Sequence, residues 1–313
     1  MRLDLLAALS GVLISLQTRA NGELSHLLNN GLEAALVSFG SGLIIILLIT
    51  PFNPHIKEGI MNLREAVARK EIAKWKLLAG ALGGSFVAIQ TQVVPLIGVA
   101  IYSVASIAGQ TAMSLIVDRI GLTGGGKKLI SPRRISAAFI TVLAVLVSVL
   151  DRINANNVSK FAVVGGCVAG ALVGFRSALN GEINEHSHQS FTTSLLNFIT
   201  GTTFLIILMA GGLLLGKIHF SALPTGPWWI YTGGVLGVVY IAFISTIVQH
   251  LGVLTFTLFS VGGQLAASLV IDLVSPTDGV SVSAYLVTGL AMTYIGVIAG
   301  GVGNLRVKKP QRR

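Results

Sequence analysis

The longest uncharged stretch of this chain most constrains its fold. Between Lys217 and Asp272 the chain runs for 54 residues without Asp, Glu, Lys or Arg. In soluble domains about a quarter of residues are charged, so such a run would arise there with a probability of about 10⁻⁷. Only 11% of all 313 residues are charged, and the mean hydropathy is +0.80. This composition excludes soluble enzymes, coiled coils and disordered tails, and indicates a polytopic membrane protein.

The apolar runs have the length of membrane-crossing helices. A hydrocarbon core of about 30 Å needs about 20 apolar residues per helical crossing, whereas barrel strands are about half as long and alternate strictly. Ten runs fit helices, and the fifth, with 16 residues, is short. We therefore predict an all-α membrane protein with ten transmembrane helices. The runs are residues 5–19, 32–50, 77–94, 99–117, 135–150, 161–180, 191–215, 228–249, 253–271 and 284–303.

Two apolar stretches, residues 77–117 and 218–271, are each long enough for two crossings with almost no loop between them. Pro95 and Gly98 interrupt the first stretch, and His250 and Gly252 interrupt the second. Both are predicted to be helical hairpins. No small-x-small cleavage site precedes Gln17, so the first run is expected to remain as a transmembrane helix rather than be removed as a signal peptide.

The basic residues fall on one side of the predicted membrane. Retained loops collect Lys and Arg on the cytoplasmic side. With the N-terminus inside, 17 of the 22 Lys and Arg residues are cytoplasmic, four are outside, and Arg176 falls within a span. Both termini are therefore predicted to be cytoplasmic, and residues 57–76 are predicted to form an amphipathic helix on that surface. Topology explains the net charge of +10. Contact with membrane lipids is expected, and nucleic acid is not.

The two halves of the chain are copies of each other. Residues 75–118 align with residues 229–272 at an offset of 154, with 15 identities in 44 positions. At an offset of 159, the Asn-Gly-Glu of residues 21–23 falls on that of residues 180–182. We predict two five-helix repeats, residues 1–152 and 153–313. An odd number of crossings inverts the second copy in the membrane, which is typical of secondary transporters with a site between the repeats.

Three motifs resemble those of a known family. They are Asn-Gly-Glu-Leu at residues 21–24, Gly-x-x-Gly at residues 80–83, and Gly-Gln-x-x-x-Ser-Leu-x-x-Asp at residues 109–118. The pattern, present in both halves, resembles the YdcZ-like branch of the drug/metabolite transporter superfamily. That resemblance implies a bacterial inner-membrane exporter with ten helices in two inverted units, moving a small molecule by alternating access. It implies no particular substrate.

Polar side chains within spans are the candidate substrate-binding residues, because they are costly there and mark substrate pathways. Gln17 and Asn21 lie four residues apart near the outer end of the first span, and Arg176 and Asn180 occupy the matching positions near the inner end of the sixth. The alternatives are hydrogen bonding between helices, snorkelling of Arg176 to the interface, and helix capping by the asparagines. Further candidates are Gln90, Gln110 and Gln264, for which contact between helices is again the alternative.

Arg176 stands where the family pattern has glutamine, as at Gln17. A cation facing a cavity would favour an anionic or zwitterionic ligand. If export is coupled to protons, the candidate coupling groups are Glu23 and Glu182, because partial desolvation favours protonation of a carboxylate. Both follow the predicted spans, where ordinary solvated carboxylates are the alternative.

The most consistent interpretation is a transporter of a small organic solute across the bacterial inner membrane, and not an enzyme. A passive channel, a membrane scaffold and a membrane-embedded lipid-processing enzyme remain the alternatives, the last without a recognisable catalytic cluster. The single cysteine, Cys167, excludes an internal disulfide and a Cys-based zinc site, and no metal or cofactor is expected. The oligomeric state is open, a homodimer included.

Overall fold

A computed structural model describes residues 3–122, 132–150, 159–240, 253–277 and 281–301. These residues form helices joined by short connections, without any strand among them. We number the α-helices in chain order. They are α1 (Leu3–Leu28), α2 (Gly31–Ile49), α3 (Pro54–Ala68), α4 (Ala79–Ile120), α5 (Pro132–Ser148), α6 (Lys160–Ser187), α7 (Ser190–Leu214), α8 (Val253–Val274) and α9 (Ala284–Gly301). Residues 233–240 are also helical, at the start of the predicted eighth span.

Local sequence signals explain several helix boundaries. Asn30 caps α2 by accepting the backbone N–H of Glu33 at 3.1 Å, and the Glu33 carboxylate accepts from the Asn30 amide at 3.2 Å. Ser159 caps α6 in the same way by accepting the backbone N–H of Ala162. At the other end of a helix, Gly121 adopts φ 78°, the left-handed conformation that ends α4 and that glycine adopts without a Cβ clash.

Helix α4 reverses direction at Gly98, where φ is 80° and ψ is 169°. A straight helix would separate Phe86 from Tyr102 by about 24 Å, at 1.5 Å per residue. Their ring centroids are 6.3 Å apart, so residues 79–97 and 99–120 form two arms of a hairpin. The hairpin predicted at Pro95 and Gly98 is confirmed. Its counterpart at His250 and Gly252 lies outside the described residues.

Several helices continue past the apolar runs that predicted them. The first run ends at Arg19, but α1 continues to Leu28, and α6 likewise continues past residue 180 to Ser187. Asn21 and Asn180 therefore lie inside helices, and the interpretation that they cap helix ends is wrong. The physical reason is that polarity ends a hydrophobic span without ending a helix, since Glu, His and Asn residues still form helical backbone hydrogen bonds while their side chains find polar partners elsewhere.

Many helices present apolar side chains outward. Within the described residues, five helical segments are long and apolar enough to cross a membrane. One of them, Lys74–Val117, contains both arms of the α4 hairpin. Large apolar residues on the surface include Ile44, Phe139, Ile207, Val270 and Ile295, each more than half exposed. A soluble protein rarely exposes so many large apolar side chains together, whereas lipid tails accommodate them. The surface helix predicted at residues 57–76 is α3, which ends earlier, at Ala68. Its Ile56 and Leu63 are buried while Lys57 and Arg64 are exposed.

The two halves of the chain pack against each other through small residues in matched pairs. A side chain added at Gly11 of α1 would meet the Ser260 carbonyl of α8, and one added at Gly170 of α6 would meet the Ser106 carbonyl of α4. Gly170 and Ser260 stand at the repeat positions of Gly11 and Ser106. The first helix of each half therefore crosses the fourth helix of the other at backbone contact.

The same exchange recurs one turn away. Gly263 of α8 would bring a side chain against the Ala8 carbonyl, and Gly109 of α4 would bring one against the Cys167 carbonyl. These contacts explain the glycine of the paired Gly-Gln motif, which permits backbones to approach closely. The largest apolar core surrounds the second arm of α4, from Val99 to Ala108, and includes residues of α5, α6, α8 and α9.

Candidate functional site

Two phenylalanines mark the point where the halves meet at the centre of the candidate site. The rings of Phe39 in α2 and Phe198 in α7 lie 5.6 Å apart between centroids, tilted by 57°. The two residues occupy the same position in the two repeats. Phe39 is close to Gly83, in the first arm of the α4 hairpin. Phe198 is close to Gly237, the repeat equivalent of Gly83 in the second half.

Gln17 and Arg176 flank this aromatic pair in matched positions. A Cβ added at Gly237 would stand 2.9 Å from Nε2 of Gln17, and one added at Gly83 would stand 2.7 Å from Nη1 of Arg176. Both side chains are partly buried. The structure therefore brings together the pair that the sequence analysis singled out, each against a glycine of the opposite half.

The hydrogen bonding of these two side chains differs. Gln17 donates from Nε2 to the Gly233 carbonyl at 2.8 Å, which ties α1 to the second half of the chain. The guanidinium of Arg176 lies within electrostatic range of the Tyr240 hydroxyl. Its Nε is buried with no hydrogen-bond partner among the described residues. Arg176 thus retains donor capacity that Gln17 has used.

Asn21 and Gln90 form a buried polar network rather than an open surface. The Asn21 amide donates to Oε1 of Gln90 at 3.2 Å, and the Gln90 amide donates to the Thr18 hydroxyl at 3.0 Å. Asn21 is 0% exposed and Gln90 is 2% exposed. In this conformation their contacts join α1 to α4.

Asn180 pairs with an amide of the neighbouring helix. Nδ2 of Asn197 in α7 donates to Oδ1 of Asn180 at 2.8 Å and also to the Thr193 carbonyl at 2.7 Å. Asn180 is partly buried. Its partner Asn197 has no amide equivalent in the first repeat, where Ser38 takes that position, which is why the repeat comparison did not find it.

Gln110 and Gln264 lie where α4 and α8 cross the first helices of the opposite halves. The Gln110 carbonyl is 3.1 Å from a Cβ added at Gly174, and the Gln264 carbonyl accepts the Ser15 hydroxyl at 2.8 Å. Both residues are partly buried. Their backbone carbonyls thus lie at the contacts between these helices.

Glu23 lies in an open pocket at one end of the bundle, paired with a cation of its own helix. Its Oε2 is 2.9 Å from Nη1 of Arg19, and Arg19 also donates to the Ser275 hydroxyl at 3.1 Å. The Arg19 guanidinium carbon stands 5.9 Å from the ring centroid of Trp229, within cation–π range. Glu23 is therefore a partly buried, ion-paired carboxylate.

Glu182 is buried against a lysine of the other half. Nζ of Lys76 lies 2.6 Å from both carboxylate oxygens, and the two side chains are 18% and 9% exposed. The interpretation of Glu182 as an ordinary solvated carboxylate is therefore wrong, because the first arm of α4 and its preceding turn cover it. The sequence places Lys76 only at the end of the cytoplasmic segment of residues 57–76 and predicts no partner for it.

Asp272, which the sequence predicts as a helix-end residue closing the ninth span, is a further buried carboxylate. It ends α8 and is 2% exposed. Its two oxygens accept the backbone N–H groups of Val99 at 3.1 Å and Ala100 at 2.8 Å. Both N–H groups stand in the first turn of the second α4 arm, where they have no acceptor within the helix and favour a negative charge. Asp272 thus caps a helix of the opposite half, a contact that no local signal could predict.

Comparison with known proteins finds similarity in sequence, to a family, and in fold, to a solved structure. A family model described as "Putative inner membrane exporter, YdcZ" matches residues 3–147 and again residues 161–299. A solved structure, described as the crystal structure of a protein, is similar over 98% of this chain and 98% of that chain, with a TM-score of 0.53 and 13% identity. At that identity the likeness concerns the fold alone. None of the curated proteins matches the chain.

Proposed function

The chain belongs to the YdcZ family of inner membrane exporters, and we propose that it exports a small organic solute by alternating access between two inverted repeats. The membership confirms the resemblance carried by the motifs. It makes the chain a multi-pass inner-membrane protein whose general function is transport of a small molecule in a lipid environment, a function outside the enzyme classes. The substrate class, the coupling and the site residues belong to the proposal.

The proposed architecture has ten crossings, with repeats at residues 1–152 and 153–313 and both termini in the cytoplasm. The crossed glycine contacts of α1 with α8 and α6 with α4 support it, because they relate the halves by an approximate two-fold exchange. Five crossings per repeat then require the copies to be inverted. Rocking of one half against the other would open the two ends in turn.

The central site of the proposal is formed by Gln17 and Arg176 on either side of Phe39 and Phe198. The matched placement of the first two against Gly237 and Gly83 is the observation that carries it. Because these glycines have no side chain, they leave room for polar groups of the opposite half to move as the halves rock. Asn21 with Gln90, Asn180, and Gln110 with Gln264 would join the site when rocking opens their helix contacts.

Arg176 directs the proposal towards an anionic or zwitterionic solute. A guanidinium within a membrane span is costly unless it is paired, and a carboxylate can satisfy it with two parallel hydrogen bonds. Its Nε has no partner among the described residues, so a ligand carboxylate would complete its bonding. Tyr240 lies within electrostatic range of this guanidinium and is a second candidate for contact with the solute.

Glu23 and Glu182 are the proposed proton-coupling groups. Each carboxylate is ion-paired in this conformation, Glu23 with Arg19 and Glu182 with Lys76. The two pairs belong to repeat-equivalent glutamates, so inversion would set them at opposite ends of the molecule. Opening the end that holds Glu182 would separate it from Lys76 of the other half, and a proton on the freed carboxylate would remove the cost of an unpaired charge. Glu23 and Arg19 share α1, so opening the other end would change the exposure of this pair rather than its separation.

A thermal-stability screen of the purified protein against metabolites and drugs would test the central site. A ligand at a hundred times its dissociation constant adds about 2.7 kcal/mol of apparent stability. We expect one chemical class, bearing a carboxylate, to stabilise the parent but neither Gln17→Ala nor Arg176→Ala. Ser177→Ala is a matched control, since this exposed α6 hydroxyl bonds only to its own helix at Val173.

The outcomes separate the hypotheses. Stabilisation that persists in both variants would move the substrate site elsewhere. A cationic substrate whose transport into proteoliposomes survives Arg176→Gln would refute the role of Arg176. Uptake that neither saturates nor depends on an ion gradient would favour the passive channel.

A further inference from the structure

The open pocket around Glu23, here called the outer pocket, is lined by one face of α1. Arg19, Gly22, Glu23 and His26 lie three or four residues apart, so they share a helix face. Val94 and Pro95 of the α4 hairpin and Pro276 and Thr277 after α8 complete its walls. The positive-inside distribution predicts this end to be outside the cell. The pocket thus combines one cation, one carboxylate and an apolar wall within a small space.

Some polar groups of this pocket have hydrogen-bond partners, whereas others do not. Arg19 uses Nη1 for Glu23 and Nη2 for Ser275, while its Nε has no partner among the described residues. The Thr277 hydroxyl at the pocket wall is also buried without a hydrogen-bond partner in the described part of the chain. Unpaired buried polar groups are costly, so a ligand oxygen in this pocket would gain from both.

Folding of the repeat does not require this arginine. The repeat position of Arg19 is Ala178 in α6, which is buried in a similar helix. The repeat position of Glu23, by contrast, again holds a carboxylate, Glu182, which takes its cation from Lys76 of another helix. Arg19 is therefore an addition to the outer end alone, placed beside an open pocket.

From this arrangement we infer that the outer pocket is a binding station for a small zwitterion, a molecule with a carboxylate and an ammonium group. The ligand carboxylate binds Arg19 and its ammonium binds Glu23. The inference rests on the proposed function, because it adds an exit station to the same transport path. The pocket is next to the proposed central site along α1, because Gly22, which lines the pocket, follows Asn21 directly in sequence.

Charge balance favours a zwitterion over a simple anion. An anion bound to Arg19 would share this single cation with Glu23 and leave a partly buried site with an excess negative charge, which is costly. A zwitterion exchanges one ion pair for two, so every charge keeps a partner. The apolar walls from Val94, Pro95 and Pro276 accommodate a short aliphatic side chain.

The neighbouring tryptophan supplies a direct readout. Trp229 stands 5.9 Å from Arg19, and the chain has two other tryptophans, Trp75 and Trp228. In a W75F/W228F background in detergent, movement of the guanidinium over the indole would change the Trp229 emission. The probes are leucine, N-acetylleucine, which keeps only the carboxylate, and leucine methyl ester, which keeps only the amine.

We expect leucine to change the emission saturably, and each derivative to bind at least about tenfold more weakly, as for the loss of about 1.4 kcal/mol. Arg19→Gln and Glu23→Gln should each weaken leucine binding by a similar factor. Lys217→Gln, at an exposed position, is the control for general loss of charge and should leave leucine binding unchanged.

Arg176→Gln separates this inference from the proposed function. If the outer station exists, this variant keeps the leucine-dependent emission change even where it abolishes transport. Equal binding of leucine and N-acetylleucine would refute the zwitterion. Absence of any saturable change, or an unaltered change in Arg19→Gln, would refute the station itself while leaving the central site to its own test.

Discussion

At the scale of single residues, two buried carboxylates of this protein are satisfied by partners distant in sequence. Glu182 meets Lys76, and Asp272 meets the backbone N–H groups of Val99 and Ala100. A buried charge is tolerated only when it is paired or accepts several hydrogen bonds. Each of these carboxylates therefore links one half of the chain to the other.

Removing one partner of the buried pair should destabilise the protein strongly. We expect Lys76→Met to lower the free energy of unfolding by about 3 kcal/mol, because Glu182 is left as an uncompensated buried charge. Unfolding in detergent by increasing denaturant would measure it. Lys76→Met combined with Glu182→Leu should recover most of the loss.

The chain offers a matched control for this prediction. Arg69 and Glu65 form an ion pair at 3.1 Å with both side chains 67% exposed. Exposed pairs contribute little, so Arg69→Met should cost no more than about 0.5 kcal/mol. Equal effects at Lys76 and Arg69 would contradict the burial argument.

Asp272 should show a graded response to truncation. Asp272→Asn keeps one acceptor oxygen, whereas Asp272→Ala leaves both N–H groups of the α4 turn without this partner. We expect a loss of about 1–3 kcal/mol in unfolding free energy for alanine and a smaller loss for asparagine. A neutral alanine variant, measured by the same unfolding assay, would show that Asp272 is no cap.

At the scale of helices, glycines decide how closely the elements approach. Gly170 of α6 lies against the Ser106 carbonyl, while Gly181 of the same helix has no neighbouring atom within 4 Å of an added Cβ. The two glycines share a helix but differ in surroundings. Their roles can therefore be separated by the same substitution.

Gly170→Ala should lower the unfolding free energy by about 1–3 kcal/mol, because the methyl group forces α6 away from α4. Gly181→Ala should leave it unchanged or raise it by up to about 1 kcal/mol, since alanine favours a helix over glycine. Thermal unfolding in detergent distinguishes them. A stabilising Gly170→Ala would contradict the close crossing.

At the scale of the whole molecule, the proposed inversion makes a prediction about sidedness. Cys167 is the only cysteine, so a Cys167→Ala background allows single cysteines to be placed at exposed positions. In intact cells, a membrane-impermeant maleimide should label Lys217→Cys and should label Glu71→Cys only after permeabilisation. The opposite pattern would reverse the proposed orientation, and labelling of both in intact cells would contradict the topology.

The sequence alone carried the class of the molecule and much of its plan. Hydropathy located the spans, because a bilayer imposes their length and composition independently of how the helices pack. The hairpin at Gly98 was predictable because glycine and proline act locally. The repeat and its motifs were sufficient to identify the family, and they singled out Gln17 and Arg176 as a pair.

The tertiary structure decided which of those side chains meet, and with what. Glu182 with Lys76, Asn21 with Gln90, and Asp272 with the α4 turn join residues 69 to 173 positions apart. Nothing in local sequence encodes these contacts, because helical periodicity defines the faces of a helix but not the neighbour that each face will meet. That choice follows from the crossing of each first helix with the fourth helix of the other half, which exists only once both halves have packed.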